Sequence, residues 1–259
     1  MTPAPGTSPT QFARVRRPTN DQGSIQDNLE DARPWARRYL PYATLAAVVY
    51  RNPHSEELVV PAEFTLAEQT DNPSTGLYFE VWDNRAENLA VLAFRGTDGW
   101  KDWWSNARFI TGALPIGWDQ YPVVRTQVAA MVDRARQRMP HARIVTTGHS
   151  LGGGLAQQAA YAHAGIKQVF AFDSSPLTGF RSVPEPDRTN NAKGLQIERV
   201  YEKGEILAYL RGFLRGYVPL DNADPSIFEV RFNLTDGLPV KQHSMVDLVI
   251  GMRRVLGLA

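Results

Sequence analysis

The pentapeptide Gly148-His149-Ser150-Leu151-Gly152 constrains this chain more than any other feature. Before it stands Arg143 to Thr147 (RIVTT), a short apolar run that reads as a buried strand. After it comes Gly153-Gly154-Leu155-Ala156, a small-residue stretch that reads as a helix. A G-x-S-x-G sequence in that setting turns the chain sharply from a sheet edge into a packed helix. Gly148 and Gly152 are needed because a side chain at either place would collide with the neighbouring strand or helix. Ser150 is then expected in a strained backbone conformation, with its hydroxyl exposed near a helix N-terminus that favours developing negative charge. A glycine-rich helix start with an incidental serine would explain the pentapeptide but not its flanks. A phosphate loop fits poorly, since no Gly-Lys-Ser/Thr follows and the glycines do not form G-x-G-x-x-G.

The rest of the chain reads as strands alternating with helices. Gly76 to Asp83 alternates like a strand, and Leu89 to Phe94 (LAVLAF) is a continuous apolar run. Further strands are expected at Gln168 to Phe172, Glu198 to Glu202 and Ile227 to Phe232. Helices are expected over Trp35 to Val49 with an interruption near Pro41, over Asp119 to Arg138, over Leu155 to Ala164, and along Met245, Leu248, Val249, Met252 and Leu256. This alternation predicts an α/β fold: a mainly parallel central sheet with helices on both faces, and a site at the carboxyl ends of the strands. Residues 1–34 are poor in large apolar groups and read as a loose N-terminal arm, leaving 35–259 as one domain.

Composition removes several function classes. The formal net charge of +1 gives no reason to expect nucleic acid. The lack of cysteine excludes disulfides, thiolate metal sites and cysteine nucleophiles. No secretory signal and no membrane-spanning stretch is seen, so the chain reads as soluble, either cytoplasmic or exported by a signal-independent route.

Two further motifs carry a family resemblance. LAVLAF runs directly into Arg95-Gly96-Thr97-Asp98 and then Lys101-Asp102-Trp103-Trp104-Ser105-Asn106, with GHSLGGGLA following later. In this order the motifs resemble those of the class 3 lipases, the group of fungal triacylglycerol lipases within the α/β-hydrolases. The helix near Tyr42 to Tyr50 resembles that family's opening helix. Val200 to Leu210 (VYEKGEILAYL) resembles its acid-bearing segment, with Glu205 where the family usually has Asp. The resemblance implies an α/β-hydrolase fold and a serine hydrolase of carboxylic esters, with a lipase or phospholipase as the leading expectation. It implies no metal and no organic cofactor.

The machinery follows in part from the residues. A serine hydroxyl needs a base near neutral pH. Of the five histidines, His54 and His141 precede the nucleophile, His149 lies inside the elbow, and His163 sits on the departing helix. His243 remains, and it lies in the order Ser, acid, His that this superfamily follows. The resemblance makes Glu205 the expected acid, and Asp173, at the end of an expected strand, is the alternative. For the oxyanion hole, one donor is the Leu151 backbone N–H and the other, by resemblance, Thr97. Trp100, Trp103 and Trp104 fall where the family carries its lid. Those tryptophans, with Ile206 to Leu220 and its Arg211 and Arg215, suit transient contact with a membrane surface, although core packing would explain them too. A small soluble ester or thioester remains the alternative substrate, and a non-catalytic binding protein the alternative role.

Overall fold

The computed structural model describes residues 12–19, 24–56, 58–72, 74–96, 120–175, 178–203, 219–221, 223–234 and 243–258. The strands are β1 (Phe12–Pro18), β2 (Ile25–Asp31), β3 (Thr65–Asn72), β4 (Leu77–Asn84), β5 (Leu89–Phe94), β6 (Arg143–His149), β7 (Ile166–Phe172), β8 (Gln196–Glu202) and β9 (Ser226–Phe232). The helices are α1 (Ala32–Val48), α2 (Pro53–Glu56), α3 (Gln120–Arg138), α4 (Leu151–Ala162), α5 (Glu185–Ala192) and α6 (Met245–Val255).

All these strands join one sheet in the order β2-β1-β9-β8-β7-β6-β5-β4-β3. From β5 through β9 every pairing is parallel, while β3, β4, β1 and β2 extend the two sides in antiparallel fashion. The parallel centre is covered on both faces. One core packs α1 and α6 residues such as Tyr39, Leu45, Leu248 and Met252 against Val91, Val145, Phe172 and Val200. The other packs α3 and α4 residues such as Val128, Met131, Leu155 and Ala159 against Leu92, Ile144, Val169 and Ile197. Burial on both faces is why β5 is apolar along its whole length. The expected α/β architecture is therefore present, and the helix on the site side begins directly at Leu151 rather than at Leu155.

Three local features depart from expectation. Within the segment read as a loose arm, residues 12–18 and 25–31 form an antiparallel hairpin that joins β9, with Val15 opposite Val230. Its sequence looks polar because β2 lies at the open edge and is exposed along much of its length. The hairpin is held by alternate small residues, Ala13 and Val15, which are fully buried, and by the ion pair of Arg16 with the buried Glu229 at 2.9 Å. Helix α1 runs through Pro41 without interruption. A proline there gives up one hydrogen bond, but the buried face from Tyr42 to Val48 keeps the helix on the sheet. Strand β3 and helix α5 were not expected. Their alternation is polar or weak, and β3 pairs on one side only, with β4.

Two buried carboxylates of the sheet are well paired. Glu80 accepts from the Tyr78 hydroxyl (2.9 Å), the Trp82 indole N–H (3.0 Å) and the Arg51 guanidinium (2.6 Å). Glu198 accepts from Arg38, the Tyr39 hydroxyl (2.9 Å) and Gln168 (3.0 Å). Among the described residues no helix is long and apolar enough to cross a membrane.

Candidate active site

The elbow has the geometry its glycines require. Ser150 adopts φ 57° and ψ −123°, a backbone conformation that L-residues enter only when the surroundings enforce it. Its N–H donates to the Phe172 carbonyl at 3.1 Å, and its carbonyl accepts from the N–H groups of Gly153 (3.1 Å) and Ser175 (2.9 Å). The turn is thus tied to β7 on one side and to α4 on the other. A Cβ on Gly148 would overlap the Gly152 carbonyl, and one on Gly152 would overlap the Phe94 carbonyl. These obstacles are backbone atoms, which cannot swing aside. Gly96 is equally confined, because a Cβ there would lie 2.8 Å from the His149 carbonyl. The strand end carrying the Arg95-Gly96 motif is therefore pressed against the elbow.

Leu151 is the first residue of α4, so its N–H has no carbonyl of the helix behind it. Thr97, Trp100, Trp103, Trp104 and Glu205 lie outside the described residues. Of the residues expected from sequence, the described structure brings Asp173 and His243 together, next to His149, the chain neighbour of Ser150.

Asp173 follows β7 directly, at the same edge as Ser150, since His149 pairs with Phe172 across the two strands. It is completely buried and has φ 38°. Its N–H donates to the Val200 carbonyl (2.8 Å), and its Oδ1 accepts from the Glu202 N–H at 2.9 Å. His243 stands immediately before Ser244, the N-cap of α6, whose hydroxyl accepts from the Asp247 N–H at 3.3 Å. The helix start thereby fixes where the imidazole enters, and that imidazole is buried. One ring nitrogen each of His149 and His243 and one carboxylate oxygen of Asp173 lie within 4.8 Å of one another.

The sequence puts His149 inside the elbow, where it cannot turn back onto Ser150. In the structure it faces the proposed base instead, with the two imidazole rings 4.6 Å apart. The Tyr50 hydroxyl lies 3.0 Å from its Nδ1 and 3.3 Å from its carbonyl oxygen. Neither Tyr50 nor Glu202, whose Oε1 accepts from the Leu234 N–H at 2.8 Å, was singled out from sequence. Tyr50 carried one usable signal, its place at the end of the apolar opening helix.

Burial, and after it the neighbouring His243, holds the His149 imidazole well below its ordinary value, against a smaller opposite pull from the His243 backbone. The groups facing it are Tyr50, Asp173 and His243. Below about pH 6.5 the unfolded chain protonates His149 while the folded chain does not. Stability therefore falls as pH drops from about 6.5 toward the folded-state value, and this contribution is absent well above about 6.5. Thermal melts from about pH 8 down to about pH 5 should show a falling Tm, with a shallower fall in His149→Gln. His163, shifted the same way by burial and Arg136, leaves a residual slope. An identical slope in the variant would remove His149 from the account.

Comparisons with known proteins place this geometry. The family described as "Phospholipase-like: Tle-like phospholipase domain" matches residues 41–218, more than half of the chain. An extracellular phospholipase A1 from Serratia liquefaciens is 39% identical over 80 residues, which is 31% of this chain and 23% of that protein. The matched stretch thus spans less than a quarter of that relative's length. Among solved structures, the Rhizomucor miehei triacylglyceride lipase superposes with a TM-score of 0.55 at 17% identity, covering 78% of this chain and 81% of that one. A lipase from Rhizopus microsporus var. chinensis gives 0.53 at 16% identity, covering 85% and 84%. Lip2 lipase from Yarrowia lipolytica gives 0.50 at 19%, covering 86% and 91%. At such identities the three show a shared α/β-hydrolase fold.

Proposed function

We propose that this chain, which belongs to the Tle-like phospholipase domain family, is a serine hydrolase that cleaves fatty-acyl esters of phospholipids. The observation that carries the reading is Ser150 at φ 57° between β6 and α4, inside a chain whose residues 41–218 match that family. The phospholipase A1 relative supports phospholipid over triacylglycerol as the acyl donor.

In the proposed course, His243 takes the proton from the Ser150 hydroxyl as it attacks the ester carbonyl. The Leu151 N–H and Thr97 hold the oxyanion. Asp173 orients His243 and stabilises its imidazolium form. The case for Asp173 is that its carboxylate is buried beside the imidazole. His243 then protonates the departing alcohol, which for a phospholipid is the lysophospholipid. Water, activated by the same imidazole, releases the fatty acid. Glu205 is the second reading for the acid, favoured by its alignment with the acid-bearing segment of the class 3 lipases.

The protein is proposed to work from solution on a lipid surface, with the Trp100, Trp103 and Trp104 segment nearest the lipid. Two substrate series test this: p-nitrophenyl esters from acetate to palmitate, and phosphatidylglycerol vesicles beside a triolein emulsion. The expected result is a rate rising with acyl length and fatty acid released faster from vesicles than from emulsion. Cleavage of acetate alone, with vesicles untouched, would overturn the lipid reading in favour of a small-ester esterase.

A further inference from the structure

We propose that His149, Asp173 and His243 form a binding site for a borderline divalent transition-metal ion, zinc above all, and that occupation of this site inhibits hydrolysis. The inhibitory half rests on the hydrolase reading above, and the binding half does not.

The donor set is two imidazole nitrogens and one carboxylate oxygen, all buried, within 4.8 Å of one another. Zinc bonds such atoms at about 2.0–2.2 Å, which in a tetrahedron places donors roughly 3.4 Å apart. Side-chain rotations that draw the three atoms inward by about 1.5 Å at most complete the geometry. Three protein ligands leave the fourth position to water. Two imidazoles with a carboxylate suit zinc, cobalt, nickel and copper, whereas calcium and magnesium favour six or more oxygens.

A second observation comes from the hydrogen bonding of His149. A carbonyl oxygen can only accept, so these two contacts with His149 fit the tautomer in which the Tyr50 O–H donates to the His149 carbonyl and its oxygen accepts from Nδ1–H. That arrangement leaves Nε2 as a bare lone pair. Nε2 is buried and has no hydrogen-bond partner among the described residues, although the His243 backbone lies nearby. A buried lone pair of this kind is costly unless something accepts it.

Two of the ligands already have outer partners of the sort that orient metal ligands. Tyr50 holds the far nitrogen of His149, and the Glu202 N–H holds Asp173 Oδ1. Bound there, the ion takes up the Asp173 carboxylate and one His243 nitrogen, so the acid can no longer orient the imidazole or stabilise its imidazolium form. Hydrolysis stops without any change to Ser150.

The test uses the full chain stripped with chelator. Cobalt(II) is titrated while the visible absorption of a four-coordinate site is followed, and p-nitrophenyl butyrate hydrolysis is measured with zinc and then with EDTA. Expected are one equivalent of cobalt displaced by zinc but not by calcium, and zinc inhibition reversed by EDTA. His149→Gln and Asp173→Asn should each weaken cobalt binding at least about tenfold, since even an outer partner of a ligand is worth that much. Ser150→Ala should bind as the wild type does, and so should the exposed control His141→Gln. Circular dichroism melts establish that the weakened variants are folded. If folded His149→Gln binds cobalt as tightly as the wild type, the site is elsewhere and the inference is overturned. An esterase indifferent to zinc overturns it too, while leaving the hydrolase reading in place. A chain that binds cobalt at these residues but cleaves no ester keeps the binding half and overturns the hydrolase reading with the inhibition.

Discussion

Ser150→Ala should reduce ester hydrolysis by roughly ten-thousand-fold or more, with little change in Tm. The loss is large because no other group can form the acyl-enzyme, and what remains is binding and oxyanion stabilisation over the uncatalysed reaction. The stability cost is small for a structural reason. The Ser150 side chain makes no capping hydrogen bond to α4, and the backbone ties of the turn to Phe172, Gly153 and Ser175 do not involve the hydroxyl. Alanine carries the same strain at φ 57° that serine does. Initial rates on p-nitrophenyl butyrate, with a thermal melt of the same preparation, check both halves. A folded variant that keeps a tenth of the wild-type rate would remove Ser150 from the nucleophile's role.

The second large effect concerns the acid. Asp173→Asn should lower kcat by up to about ten-thousand-fold, because an amide beside His243 favours the wrong tautomer and cannot stabilise imidazolium. Asparagine is the suitable replacement. It matches aspartate in size and tolerates the left-handed φ of 38°, so the turn after β7 survives. It also keeps a carbonyl oxygen able to accept the Glu202 N–H in place of Oδ1. Glu205→Gln, measured alongside, should cost far less. The reverse ranking, with Glu205→Gln nearly inactive and Asp173→Asn nearly intact, assigns the acid to the segment aligned with that of the class 3 lipases. The phospholipid reading would stand in either case, since the chemistry is the same.

The two carboxylates show where reading from sequence stops. Glu205 was placed by alignment to a motif, and Asp173 only by its position at a strand end. Nothing within Asp173-Ser174-Ser175 states that its carboxylate meets an imidazole far along the chain. That meeting depends on β7 lying between β6 and β8, with Phe172 level with both His149 and Val200. It also depends on α6 starting at Ser244, which places His243 over the same edge. His149 shows the same limit. The sequence puts it inside the elbow, but only the packed site reveals that its ring lies against His243.

The N-terminal hairpin makes the same point about the fold. Phe12 to Pro18 carries three arginines, and β2 carries three acidic residues, a composition that reads as a solvated arm. Its order comes from pairing with β9 and from Ala13 and Val15 fitting under the α1 side of the sheet. Two small buried residues in seven are too weak a periodic signal to separate from chance.

What the sequence determined by itself was the elbow, the alternation of elements and hence the α/β class. Those rest on local causes: a glycine is needed wherever a Cβ would strike backbone, and continuous apolar strands are needed wherever both faces are covered. What only the tertiary structure decided was which side chains converge at the carboxyl edge: Asp173 beside His243, His149 turned toward both, and Tyr50 behind it. Convergence of that kind is set by strand register and helix packing between residues far apart in the chain, and no short stretch of sequence carries it.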